Sequence, residues 1–138
     1  MADKVNFELV SPQRLLLSEA VDMVVVPGAE GDFGVLAEHA PVISTVRPGV
    51  ITVFQGNAVS ERIFVAGGFA EVTPERCTVL AEEAERLDEI DRAAVEGQIR
   101  ILREDLGMAQ SEDERALIEG RIAVAEAKID AIGDTVYQ

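Results

Sequence analysis

Few residues of this protein could do chemistry. There is one histidine, His39, one cysteine, Cys77, and a surplus of carboxylates. A hydrolytic centre needs a nucleophile, a base beside it and a third group to orient the base. Here a single imidazole sits in Ala37-Glu-His-Ala-Pro41, and a single thiol sits in the apolar run Cys77-Thr-Val-Leu-Ala81. The thiol reads as buried and inert, and the imidazole as a loop residue that bonds its own turn or meets a partner. A zinc site draws on several nitrogen or sulfur ligands, and only one imidazole and one thiol are on offer here. Glu30-Gly31-Asp32 belongs to no Asp-x-Asp-x-Asp-Gly pattern, so a calcium loop is excluded. We therefore assign no catalytic residue, no metal ligand and no cofactor.

Phosphate chemistry fares no better. Gly28-Ala-Glu-Gly-Asp-Phe-Gly34 is neither the dinucleotide fingerprint nor a Gly-Lys-Ser/Thr loop. Val35-Leu36 and a proline follow it, with no helix whose N-terminus would hold an anion. Gly67-Gly68 lies inside an apolar run and marks a bulge or a close backbone approach.

The formal charge is −14, from 26 acidic and 12 basic residues. Thirteen acids and six bases fall on each side of the 87/88 junction, so the acidity is general and not a charged tail. Such a surface repels a phosphate backbone or an anionic headgroup, which argues against nucleic acid and direct membrane insertion. With no tryptophan and one tyrosine there is no stacking platform for single strands either. The first residues carry no apolar signal core, and no window approaches the 18 or so apolar residues of a span.

The elements that must position these residues change character near residue 87. Before it, Val5, Phe7 and Leu9 alternate with polar neighbours until Ser11-Pro12, and Val21 to Val26 forms a denser run that ends at Pro27-Gly28. Gly49 to Phe54 and Arg62 to Val65 flank a Gln55-Gly56-Asn57 turn. Thr73-Pro74-Glu75-Arg76 is a turn with proline in its second place, between Glu71-Val72 and Cys77 to Leu80. Many short strands at this spacing predict a sandwich or barrel. After residue 87, Val95, Ile99, Leu102 and Leu106 form a helical stripe, with Asp88 as its expected N-cap and Gly107 as its end. Ser111-Glu-Asp-Glu114 matches a capping box that opens a second stripe, Ile118, Ile122, Ala125, Ile129 and Ile132, ending at Gly133. The expected architecture is an all-β sandwich over residues 1–86, then an antiparallel helical hairpin over 87–138. Each helix shows one narrow apolar seam, so the pair needs a third surface to dock on.

Four segments resemble a known family. Val26-Pro-Gly-Ala-Glu-Gly-Asp-Phe-Gly-Val-Leu-Ala-Glu-His-Ala-Pro41 is similar to the signature loop of the epsilon subunit of bacterial and chloroplast ATP synthases, the equivalent of mitochondrial delta. Arg47-Pro-Gly-Val50, Phe64-Val-Ala-Gly-Gly-Phe-Ala-Glu-Val72 and Thr78-Val-Leu-Ala-Glu-Glu-Ala84 resemble its next three segments, in order. The resemblance implies a sandwich of about ten strands and a helical hairpin, in a non-catalytic central-stalk subunit. Such a subunit couples a proton-driven membrane rotor ring to the gamma subunit. It implies gamma and the ring as partners, with alpha and beta subunits met through the C-terminal helices. The implied place is peripheral, on the cytoplasmic face of the bacterial inner membrane. On that basis Glu30, Asp32, Phe33, Glu38 and His39 are the expected ring and gamma interface.

In some relatives the hairpin extends and inhibits ATP hydrolysis, or binds ATP through an Ile/Leu-Asp-x-x-Arg-Ala motif. Carried over, that motif puts a nucleotide contact on Asp88 and Arg92. Leu87-Asp-Glu-Ile-Asp-Arg-Ala93 departs from it by one extra residue, a rotation of about 100° on a helix. The hairpin's acidity also opposes docking on an acidic partner. From a different class, the alternative is a stand-alone module holding a small ligand between strands, with the hairpin as lid.

Overall fold

The computed structural model describes residues 3–133. Ten strands run in the order β1 (Val5–Val10), β2 (Leu15–Val21), β3 (Met23–Gly28), β4 (Gly31–Val35), β5 (Val42–Thr45), β6 (Gly49–Gln55), β7 (Ala58–Ala66), β8 (Phe69–Val72), β9 (Arg76–Leu80) and β10 (Glu83–Arg86). A 3-10 turn, Leu87–Glu89, leads into α1 (Arg92–Gly107) and α2 (Glu112–Gly133). The strands build two five-stranded sheets, ordered β2-β1-β9-β8-β5 and β10-β7-β6-β3-β4. Only the β1–β9 pairing is parallel among them.

Alternation decides which faces meet. Val5, Phe7 and Leu9 from β1 and Val72, Cys77 and Val79 from β8 and β9 fill the space between the sheets against Val24, Val26, Val35, Ile51, Val53, Ile63 and Val65. At about 25 cal/mol per Å² this is the main favourable term in the fold. The Thr73–Arg76 turn closes as expected, with Thr73 N–H donating to the Arg76 carbonyl at 2.8 Å and Arg76 N–H returning to Thr73 at 3.3 Å.

Three local features extend or correct what the sequence suggests. The glycine-rich stretch after Val26 is a hairpin, β3–β4, in which Gly34 pairs with Val25 and Gly31 adopts φ +135° beside the turn. The segment Thr78–Ala84 is not one strand. The backbone leaves the first sheet after Leu80, buries Ala81, and enters the second sheet as β10. Beside that crossover runs the opposite one, Gly67-Gly68, which links β7 to β8. Both glycines have positive φ, +73° and +89°. A Cβ on Gly68 would overlap the Leu80 carbonyl oxygen and stand 2.8 Å from its carbon. Two backbones pass here with no room for a side chain.

The third concerns the first helix. Asp88 lies in the 3-10 turn, and Asp91 is the N-cap of α1, accepting from Ala93 N–H at 3.0 Å and Ala94 N–H at 3.3 Å. Ile90 explains the shift. It packs both on the Phe64 cluster of the sheet and on the Val95 cluster of the hairpin, so the backbone must stay extended until it has passed. In the second helix Ser111 Oγ accepts from Glu114 N–H at 3.1 Å, while Glu114 accepts from Gln110 N–H at 3.0 Å, a capping box moved back by one residue. Residues 134–138 of the expected hairpin lie outside the described residues.

Candidate functional site

The β3–β4 hairpin and the loop after it carry the five residues singled out by sequence. Glu30 is exposed in the turn between the strands. Asp32 is engaged internally: Arg47 Nη2 donates to it at 2.5 Å, and Arg47 Nη1 donates to the Gly28 carbonyl at 2.5 Å. This fork ties the hairpin to the segment entering β6. Phe33 is half-buried against the inter-sheet core, its ring lying where a Gly28 side chain would be. Glu38 adopts φ +65° and donates its N–H to the Pro74 carbonyl at 2.6 Å, pinning the loop to the β8–β9 turn. His39 closes the same loop through its N–H to Leu36 at 3.2 Å. Its Nδ1 lies 2.7 Å from the Ala40 carbonyl, which can only accept, so Nδ1 carries the proton. The structure does not bring the five together: Glu30, with Asp32, Phe33 and Arg47 near it, lies at the β3–β4 turn beside the Thr45 end of β5, while Glu38 and His39 lie beyond the other end of β4, beside the β8–β9 turn.

Cys77 is buried between the sheets, and burial pushes its thiol up to about 12. No group of three or more His, Cys, Asp or Glu among the described residues could hold a metal. Asp88 lines an open cleft of about 1010 Å³ with Arg86 and Ile132, while Arg92 lies 3.9 Å from Glu96 one turn along α1. No ion pair or hydrogen bond joins Asp88 to Arg92 among the described residues.

Sequence reasoning missed the outer face of the first sheet. Register places Leu15 beside Val10, Val10 beside Leu80, Leu80 beside Phe69 and Phe69 beside Thr45, one row crossing all five strands. Leu15 is 56% exposed, Phe69 43% and Leu80 40%, with Ile43 at 70% on the neighbouring row. A continuous apolar row on an outer sheet face marks an interaction surface. Its only trace in the sequence is apolar residues at outward places in otherwise alternating strands.

The hairpin covers the outer face of the second sheet, and α2 makes the contact. Val124, Ala127 and Ala131 pack on Val50, Phe64 and Ala66, while Ile118, Ala125 and Ile129 face α1. The expectation of one apolar seam per helix is therefore corrected for α2, which has two. The second is built of small side chains that a periodicity reading passes over. Lys128 sits beside it, 13% exposed, paired with Glu83 and, at 3.4 Å, with Glu85 of β10. Its Nζ is 5.8 Å from the Phe64 ring centre. Burial alone would lower this ammonium's pKa. The hydrogen bond that it donates to Glu83 and the charges of Glu83 and Glu85 outweigh burial and hold the pKa above the ordinary value.

No helix among the described residues is long and apolar enough to cross a membrane. The family of the beta-sandwich domain of the ATP synthase delta/epsilon chain matches residues 4–87, and that of the C-terminal domain of the ATP synthase epsilon chain matches residues 91–137. The ATP synthase epsilon chain of Rhodospirillum centenum is 61% identical over 137 residues, covering 96% of this chain and 94% of that protein. The epsilon chain of Rhodospirillum rubrum is 54% identical over 131 residues, covering 95% and 98%. Among solved structures, a subunit of the Euglena gracilis mitochondrial ATP synthase superposes with TM-score 0.81 at 23% identity, over 96% of this chain and 83% of its own. One from the central stalk and c-ring of the Tetrahymena thermophila enzyme superposes with TM-score 0.62 at 13% identity, over 95% and 98%. Those two likenesses are of fold, and the sequence matches carry the assignment. This chain belongs to the family of ATP synthase epsilon chains.

Proposed function

We propose that this chain is a non-catalytic central-stalk subunit that transmits torque between a proton-driven membrane ring and the gamma subunit. The observation that carries this is the apolar row Leu15–Val10–Leu80–Phe69, with Ile43 beside it. It is the surface on which gamma docks. Its acidic flank, Glu8 and Glu71 on the next row, favours a partner with basic groups around an apolar centre. The two ends of β4, Glu30 at one and Glu38 with His39 at the other, are the proposed further contacts with the ring and gamma, and Asp32, Phe33 and Arg47 brace the Glu30 end. A sandwich whose interior is filled with side chains suits the task, because close-packed interiors deform little under load. The same side chains occupy the space between the sheets where the alternative reading would put its small ligand.

The proposed units are the sandwich, residues 1–86, and the hairpin, residues 87–138. The proposed location is the cytoplasmic face of a bacterial inner membrane, with attachment through its partners. Neither inhibition by the hairpin, through alpha and beta subunits, nor nucleotide contact through Asp88 and Arg92 is favoured by an observation here.

The test is binding of the full-length protein to a gamma-containing catalytic complex, by co-sedimentation. Phe69→Glu and Leu80→Glu place charge on the row without touching the core and are expected to weaken binding at least tenfold, about 1.4 kcal/mol. Glu30→Gln and Glu38→Gln, made separately, identify the end that meets the ring: that variant is expected to leave gamma binding intact and to weaken recruitment to the ring-containing enzyme. Wild-type-like gamma binding by both Phe69→Glu and Leu80→Glu would remove the assignment of this face.

A further inference from the structure

The seam between hairpin and sandwich is thin. On the α2 side it consists of Val124, Ala127 and Ala131, and on the sheet side of Val50, Phe64 and Ala66. Next to it Thr52, wholly buried on β6, has a hydroxyl with no hydrogen-bond partner, lining a cavity of about 230 Å³ with Ala127 and Ala131. An orphan hydroxyl favours separation of the surfaces, since water would satisfy it. The ion pairs that cross the seam among the described residues are those of Lys128. The others lie within the sandwich or within the hairpin.

The geometry of Lys128 is that of a clasp. Glu83 and Glu85 are two apart on β10, so both carboxylates stand on one face of an edge strand and take the ammonium between them. The four-carbon stem runs along the seam, and the Phe64 ring lies under the charge. With 13% of the side chain exposed, the ammonium has given up most of its water and depends on these partners.

We infer that Lys128 is an ionic latch that sets how often the hairpin opens from the sandwich, and that it makes this opening respond to ionic strength. A weak apolar seam leaves the ion pairs a large share of the docking free energy. Salt screens the half-exposed carboxylates more than it weakens aliphatic contacts. This inference rests on the docked hairpin and not on the stalk reading, so either can fail alone.

Hydrogen exchange of the full-length protein tests it, followed by mass spectrometry at about 50 and about 500 mM salt, where the screening length falls severalfold. Lys128→Met keeps the stem over Phe64 and removes only the charge. The expected result is exchange about tenfold faster in peptides spanning Arg92–Gly133 and Glu83–Arg86, with Val5–Val10 unchanged. Wild type should speed up about threefold in the hairpin at high salt, and Lys128→Met should not. Glu83→Gln with Glu85→Gln should reproduce the effect from the other side, and adding Lys128→Met to that pair should produce little further change. Three results would overturn the latch: hairpin exchange within twofold of wild type, additive effects in the triple variant, or equal acceleration of Val5–Val10.

Discussion

Replacing Gly68 by alanine tests the point where the two sheets exchange strands. Two effects add there. A side chain at φ +89° is strained by about 1–2 kcal/mol, of which the reduced entropy of the unfolded state offsets about 0.4–1. The new methyl would also meet the Leu80 carbonyl group, its carbon at 2.8 Å, and Ala81 Cα at 3.1 Å, inside the roughly 3.5–4.0 Å optimum for carbon contacts. Those atoms are backbone and cannot rotate away. The crossovers must part by about an ångström, which pulls at the Val46 N–H to Gly68 carbonyl bond and at the Phe69–Leu80 end of the β8–β9 ladder. Overpacking of this kind costs about 1–3 kcal/mol, so the sum is about 3. Gly56→Ala is the matched control, because its φ is +65° and nothing lies within 4 Å of its would-be Cβ. It should cost only the strain, about 0.5–1 kcal/mol. Urea titrations of both variants, followed by far-UV circular dichroism, measure the difference. If they fell within about 0.5 kcal/mol of each other, the close passage at Gly68 would be refuted.

Other expectations follow from single contacts. The buried Cys77 thiol, pushed up to about 12, should ignore a water-soluble disulfide reagent at pH 8 in the native protein and react fully in denaturant; prompt native labelling would contradict its burial. Asp22 is held below its ordinary value of 3.8 mainly by the Gly56 N–H, against the opposing effect of lost hydration and with help from Lys4. A depressed carboxylate adds stability that is fully present well above pH 3.8 and is lost as pH falls through its lower native value. Asp22→Asn should therefore flatten the acid limb of urea midpoints measured from pH 5 to 2, and an unchanged limb would count against the contact. Asp91→Ala removes the true cap of α1 and should destabilise the hairpin by about 1 kcal/mol in thermal melts, while Asp88→Ala should be nearly neutral. The reverse order would restore Asp88 as the cap.

The proposed stalk role asks little of individual side chains and much of rigidity. The stretch from Glu30 to His39 is tied at three places, through Arg47 to Gly28 and Asp32 and through Phe33 to the core near one end of β4, and through Glu38 to Pro74 beyond the other. A surface that transmits force must not absorb it, and each of these ties removes a soft mode of the backbone.

The sequence alone determined what depends on near neighbours along the backbone. The alternation of Val5, Phe7 and Leu9 names one face of a strand whatever lies next to it. Pro74 sets its turn by its own ring, and the four-three spacing of Val95, Ile99 and Leu102 names a helix face. The absence of a second histidine or cysteine bounds the chemistry before any folding is considered. Strands β2, β4 and β5 were harder to see, since Leu15 to Val21 carries no clean alternation, Gly31 to Val35 has two glycines, and β5 spans only four residues. Their pairing partners hold them extended. Tertiary structure alone decided the rest. Leu15, Leu80 and Phe69 are far apart in the sequence, and become a surface because β1 pairs in parallel with β9, which lies far along the sequence. Ala127 and Ala131 look like helix filler until Phe64 lies against them, and Lys128 looks like any surface lysine until β10 brings two carboxylates to it. Strand order and helix docking minimise the free energy of the whole molecule, in which distant residues count as much as adjacent ones.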